Sequence, residues 1–460
     1  MKNIKKLNII SLAVVLLLSL SLTSCDGWID HDLNTDPDSP ADVPMNLLLP
    51  AIQQDMGYNL LGNNSVRTNN IWMQLFDGTS RQSYTEARYQ LTPADINNLW
   101  GSIYSGMLIN STIIVDKAQT EGFESPNFAG VAQVLMATTL GITTDLFGSI
   151  PYTEAFKGSE NVLKPVYDSQ ESVYSNIFGL LSQAVTNLDN PTNAFDVDGD
   201  VTYGGNIGKW KKAAYSIRAR HLLQLSVRNG NAAYTDALAA VANGFTSNAD
   251  DFLVPFDASD RNPIFQFMEQ RTDIRMGSTL VNMLTSNDDP RLPFYVAQDG
   301  DGNYTGSDPG SQNEAASWPG PDVAADDASV KLMTYSELKF IEAEALFMLG
   351  QAGAQEAYEA AVAASVLRVT GDANTAWLDD NINGVPVSQE LILTQKYIDG
   401  FGTNQPYADW RRTGIPTLAP VPGSVIPNTP TRFPYAQSEL DYNTANVPAV
   451  VISDKLWWDQ

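Results

Sequence analysis

Flat aromatic side chains in loops are the residues of this chain best suited to chemistry, and that chemistry is recognition. Sugar rings stack on apolar faces while their hydroxyls need polar partners. The 460-residue chain supplies nine Trp, 18 Tyr and 17 Phe, and Tyr and Trp add a polar handle to the flat face. Trp318 stands in Ser317-Trp318-Pro319-Gly320-Pro321, where neither a helix nor a central strand is expected. Tyr304 stands in the Gly/Asp-rich run before it, and Trp72, Gln74, Tyr84, Arg88 and Tyr89 form a second candidate group. Each of these side chains could instead serve packing. Trp318 has the loop setting that favours ligand contact, whereas Trp210, on a helical stripe, belongs in the core.

Other chemistries find less support. Asp196-Val197-Asp198-Gly199-Asp200 and Asp299-Gly300-Asp301-Gly302-Asn303 both open like a calcium-binding loop with oxygen ligands at alternate positions. Counting from Asp196, the sixth and twelfth residues are Val201 and Ile207; from Asp299 they are Tyr304 and Gly310. Neither loop has the required glycine or the bidentate glutamate, so both are read as solvated turns and no metal or other cofactor is expected. Only His31 and His221 exist. His31 is isolated in a polar arm and His221 sits inside an expected helix as a satisfied core residue, which argues against a Cys/His zinc site and a Ser-His-Asp arrangement. A pair of carboxylates for glycoside hydrolysis stays open among 53 acids, because their separation is spatial. No Gly-rich phosphate loop is present, and a binding protein rather than an enzyme is expected.

Cys25 is the only cysteine. It closes Leu22-Thr23-Ser24-Cys25 after Lys2, Lys5 and Lys6 and an apolar run from Leu7 to Leu22. A charged start, an apolar middle and small residues before the cut make residues 1–24 a signal peptide, with Cys25 as the lipid-attachment site. One acyl chain holds a protein only marginally, so more than one would anchor it. Loss of the leader takes Lys+Arg from 27 to 24 against 53 acids, a net charge of −29. Nucleic acid is excluded as a partner, since phosphate binding needs a concentrated cationic surface.

The elements that must position the aromatics are helical. Residues 25–44 carry Pro37, Pro40 and Pro44 in polar, acidic sequence and read as a tether, leaving 45–460 as one domain. A first helix spans roughly Met45 to Gly57. The stripes Leu99-Ile103-Met107-Asn110-Ile114 and Val131-Val134-Leu135-Thr138-Ile142-Leu146 step by three and four, with Gly122 and Pro126 permitting a reversal between them. A second pair joins Val173-Ile177-Leu180-Leu181-Ala184-Leu188 to a helix from about Ile207 to Arg228. In a third, Thr334 and Glu337 have capping-box spacing, the helix stops at Gly350, and Ala357, Ala360, Ala361 and Ala364 let its successor approach closely. The fold class is all-α, with tetratricopeptide-like helix pairs. Residues 251–328, rich in Gly, Pro, Asn and Asp, read as loops with short strands or helices, where binding usually resides.

Several separated segments resemble the SusD/RagB family of surface lipoproteins, in a subgroup distant from SusD itself. They are Asn34-Thr35-Asp36-Pro37 through Leu47-Leu48-Leu49-Pro50-Ala51, Leu146-Phe147-Gly148-Ser149-Ile150-Pro151-Tyr152, and Tyr203-Gly204-Gly205-Asn206 leading to Lys209-Trp210-Lys211-Lys212. Ser336-Glu337-Leu338-Lys339-Phe340-Ile341-Glu342-Ala343-Glu344-Ala345, Asp409-Trp410-Arg411-Arg412-Thr413-Gly414 and Arg432-Phe433-Pro434-Tyr435 extend the series. The resemblance implies a helical body carrying a loop-rich, ligand-facing region. It implies a lipid-anchored, surface-exposed protein of the outer membrane that captures an oligosaccharide and acts as lid of a SusC-like TonB-dependent transporter. A peptide ligand, or less favoured a lipid-anchored glycoside hydrolase, is the alternative.

Overall fold

The helices of the computed structural model, which describes residues 43–460, fall where the apolar stripes place them. Cys25, His31, the expected 1–24 leader and nearly all of the expected 25–44 tether lie outside the described residues. Met45–Gln460 forms a single compact unit. It opens with α1 (Met45–Asp55), which runs on into a wider helical turn at Met56–Leu60, then α2 (Asn64–Trp72), strand β1 (Phe76–Gly78) and α3 (Arg81–Ala87). Three long helices and two shorter ones follow: α4 (Ile109–Lys117), α5 (Pro126–Phe147), α6 (Gln170–Leu188), α7 (Ile207–Gln224) and α8 (Asn231–Val241), of which α4 and α8 are the short ones.

Local chemistry sets their ends. Pro126 opens α5, where a missing N–H costs nothing. Ser169 and Asn206 cap α6 and α7 by accepting from the backbone N–H groups of Ser172 and Lys209. Gly148 stops α5 at φ 82°, a conformation that favours glycine. With 22 residues, α5 is long and apolar enough to cross a membrane, yet it is buried on nearly every side against α4, α6 and α7. It is the core helix of this layer.

Beyond residue 250 the chain alternates short pieces with a second helical layer. Strands β2 (Phe252–Val254), β3 (Ile274–Met276) and β4 (Val330–Met333) precede α9 (Tyr335–Met348), α10 (Ala354–Thr370), α11 (Gln389–Asp399) and α12 (Gln405–Thr413). α9 packs on α7, α8, α10 and α11, and Ala357, Ala361 and Ala364 are buried, as close helix approach requires. Of two small antiparallel sheets, β1–β3 ties residues near the start to the loop-rich stretch, and β2–β4 joins that stretch's two ends.

Two expectations change. The Thr334 side chain accepts from the Glu337 N–H, but Glu337 does not return the bond to make the full capping box. Its carboxylate instead takes two bonds of 2.6 Å from Arg220 across the α7–α9 interface, because a buried guanidinium needs a charged partner more than a helix end needs a second bond. The turn at 196–200 is only partly solvated. Asp196 and Asp198 are exposed, but Asp200 is buried and accepts from Gln53 Nε2 (2.7 Å), Trp210 Nε1 (2.7 Å) and the Gly205 N–H (2.9 Å). That carboxylate joins α1 to α7. Trp210 is fully buried, as its stripe requires.

Candidate functional site

The β1–β3 sheet is the anchor from which the loop face is built. Asp77 stands opposite Arg275 in its register. The Asp77 carboxylate accepts from Ser307 Oγ (2.5 Å) and the Gly310 N–H (3.1 Å); burial pushes it above its ordinary value against the pull of those bonds. Met276 donates its N–H to Ser317 O at 2.9 Å and accepts from the Ser307 N–H at 2.8 Å. The 299–320 loop is thereby laced across the free edge of β3.

Trp318 projects from this lacing. Its carbonyl accepts from the Ala297 N–H at 2.9 Å, and Pro319 bridges to Val296, so its backbone is fixed while its side chain stays 43% exposed. The Arg275 guanidinium lies 5.4 Å from the ring centre. Arg275 is itself held by carbonyls: Nε donates to Glu314 O at 2.8 Å, and Nη1 to Thr272 O at 2.8 Å and Ile274 O at 2.9 Å. Thr305 and Ser317 exchange two bonds, and half-buried Tyr304 and exposed Trp318 flank that pairing.

The second candidate group holds another loop beside the first. Gln74 is buried with φ 59°; its Nε2 donates to Ala419 O (2.6 Å) and its Oε1 accepts from Thr279 Oγ1 (2.9 Å). Arg88 donates from Nε to Gly423 O (2.8 Å) and from Nη1 to the Tyr84 hydroxyl (2.9 Å). The buried Tyr89 hydroxyl accepts from the Val421 N–H (2.9 Å) and pairs with Thr429 Oγ1 (3.1 Å). Gln74, Arg88 and Tyr89 therefore pin residues 419–429, and half-buried Tyr84 supports Arg88. Gln312 Nε2 reaches Thr79 O (3.2 Å), and Gly310 lies against Val421, so the two loops and β1 form one continuous face.

Trp72 does not join that face. It is fully buried, donates Nε1 to Glu86 O at 3.0 Å and packs edge-on against Tyr407 and Phe433. Arg275, Asp77 and Ser307 escaped the sequence reading. Arg275 left one trace, a cation in a loop-rich stretch of a strongly acidic chain. His221 is buried in the helical body against Gly141 and Tyr174. Its Nδ1 lacks a partner, contrary to the satisfied core residue expected. Burial and the neighbouring Arg220 lower it to about 3.

Helix pairs on one side and a loop face sewn to a two-stranded sheet have a counterpart among known proteins. A family model described as SusD-like, starch-binding and associating with the outer membrane, matches residues 37–436. The chain belongs to the SusD-like family. No curated protein matches it. Among solved structures, this SusD-like chain is similar to a SusD/RagB family protein from Bacteroides thetaiotaomicron, at 24% identity and TM-score 0.81 over 91% of this chain and 99% of that one. A chitin-binding protein is similar at 26% identity and TM-score 0.78, over 91% and 100%. A chitin-binding SusD homolog from Flavobacterium johnsoniae is similar at 24% identity and TM-score 0.75, over 90% and 98%.

Proposed function

We propose that this protein captures an oligosaccharide at the loop face around Trp318 and passes it to an outer-membrane transporter. The observation that supports this most is Trp318 itself: an exposed, flat ring on a backbone locked at both neighbours, with a cation placed near it. A rigid aromatic presents area at low entropic cost, and the backbone carbonyls and polar side chains around it suit sugar hydroxyls. Family membership supports nutrient binding at the outer membrane. The chitin-binding relative makes an amino-sugar oligomer a first ligand to try.

In the same reading residues 1–24 are a signal peptide, Cys25 carries the lipid, residues 25–44 are the tether and 45–460 the capture domain. The protein acts as lid of a SusC-like TonB-dependent barrel. A ligand shared between lid and barrel favours the closed state only if it binds that state more tightly. The test has two arms. Pull-down of the lipidated protein from its own outer membrane is expected to recover a large β-barrel transporter in near-equal amount; recovery of the protein alone sinks the lid role. A glycan panel read with Trp318→Ala is expected to give a ligand that the variant loses.

A further inference from the structure

A second binding place lies away from the Trp318 face, where the turn after α5 meets the 450–460 segment. A cleft of about 430 Å³ opens there, inside the ordinary range of small-ligand sites, about 300–1,000 Å³. Its floor is cationic. The Arg432 side chain borders it, 95% buried by the 5% exposure of the residue; it donates to Phe147 O and leaves its buried Nε without a partner. Lys455, on the rim, donates only to Asp459 O at 3.0 Å. Among the described residues neither cation forms an ion pair, in a chain that carries 53 acids against 27 bases.

The cleft is also built to stay open. Gly148 has φ 82°, and a side chain there would sit 3.4 Å from Arg432 Nη2 and 3.2 Å from Leu456. The bare glycine leaves room beside the guanidinium. Half-buried Trp457 forms part of the wall, with Arg228 5.1 Å from its ring centre. Two carboxylates lie by the cleft: Asp454 lines it and accepts from the Val451 N–H at 2.8 Å, and Asp459, raised by burial, is drawn back by Arg411 and Lys455.

We infer that this cleft binds a small carboxylate-bearing molecule, its carboxylate between Arg432 and Lys455 and its body beside Trp457. An arginine fork matches carboxylate geometry, and a buried guanidinium short of partners gains most from that match. The carboxylate could come from an acidic sugar or from a free organic acid. The inference is independent of the Trp318 reading.

Calorimetric titration of the full chain with galacturonic acid, citrate and neutral galactose tests it. At least one of the two acids is expected to bind, at least tenfold more tightly than galactose. Lys455→Glu should weaken that binding at least tenfold with the melting temperature unchanged, Asp454→Asn should tighten it, and Trp318→Ala should leave it as it is. The tighter acid identifies the source. No binding of either acid, equal binding of galactose, or an affinity unmoved by Lys455→Glu overturns the inference.

Discussion

The Arg275 guanidinium lies 5.4 Å from the centre of the Trp318 ring, and three carbonyls from Glu314, Thr272 and Ile274 hold it there. The cation therefore stiffens the platform without occupying all of it, since the ring keeps 43% of the residue's surface in solvent. Losing the contact should cost about 0.5–1 kcal/mol of stability, the range for an exposed cation–π pair. Trp318→Ala is accordingly expected to melt close to the parent while losing at least tenfold in glycan affinity. Arg275→Lys keeps the charge and loses the fork, so hydrogen exchange in the 305–318 loop should accelerate. Unchanged glycan binding in Trp318→Ala would remove Trp318 from the site.

Glu344 and Arg412 form a pair in which both side chains are almost wholly buried. Arg412 Nη2 donates to Glu344 at 2.7 Å and to Asp409 at 3.0 Å, and Lys396 lies 2.9 Å from Asp409. Removing one partner strands a buried charge, which typically costs about 3–5 kcal/mol. Glu344→Ala should lose stability of that order in denaturant titration. Replacing both residues by Leu and Met should recover much of it, and a double variant no better than the single one would contradict the stranded-charge account.

That network also marks what was legible in the sequence. Glu337, Glu344, Asp409 and Arg412 lie in the segments that carry the family resemblance, and the structure spends them on buried ion pairs that join helices: Glu337 with Arg220, Glu344 with Arg412, and Asp409 with Lys396. They announce the fold and say nothing of the ligand. Helix ends were readable wherever a local signal exists: α9 runs to Met348 and the chain turns at Gly350 with φ 63°. The pairing of β1 with β3 was not readable, because it joins residues about 200 positions apart and strands this short carry no periodicity. The site inherits that difficulty. Trp318 was found through its Pro- and Gly-rich surroundings, whereas Trp72, on a helix, gave no sign of which way it faced, and Arg275 acquires meaning only once β3 lies beside the loop.

Gly277 is where the face is most sensitive to a single atom. A side chain there would come within 2.1 Å of Gln74 O, a backbone atom that cannot swing away, while the Gly277 N–H donates to Leu75 O at 2.9 Å. Gly277→Ala must push β3 from the segment before β1, at about 1–3 kcal/mol for an overpacked site. Far-ultraviolet circular dichroism should stay helical while glycan affinity falls with the displaced loop. Full affinity in this variant would show that the platform does not depend on the sheet beneath it.

Acid should stabilise the protein before it unfolds it. Burial raises Asp251 to about 7 against the bond from the Tyr335 N–H at 2.7 Å. Burial likewise raises Asp145 to about 6, opposed by the Tyr174 hydroxyl at 2.6 Å. Both lie above the ordinary 3.8, so between those values the folded state holds protons that the unfolded state has lost. His221, which burial and Arg220 lower to about 3, takes up a proton only on unfolding and offsets one of the two carboxylates below about 6.5; stability still rises as pH falls from about 8 towards 5. Below about 4 the sign reverses: burial pushes Asp409 up, but Lys396 and Arg412 pull it below its ordinary value, and protonating it breaks the pair. Melting temperature against pH should thus pass through a maximum on the acid side of neutrality. Asp251→Asn keeps an acceptor for the Tyr335 N–H and removes the titration, so it should melt higher at pH 8 and flatten the rise between pH 8 and 5. A profile superimposable on that of the parent would show that Asp251 is ionised throughout this range.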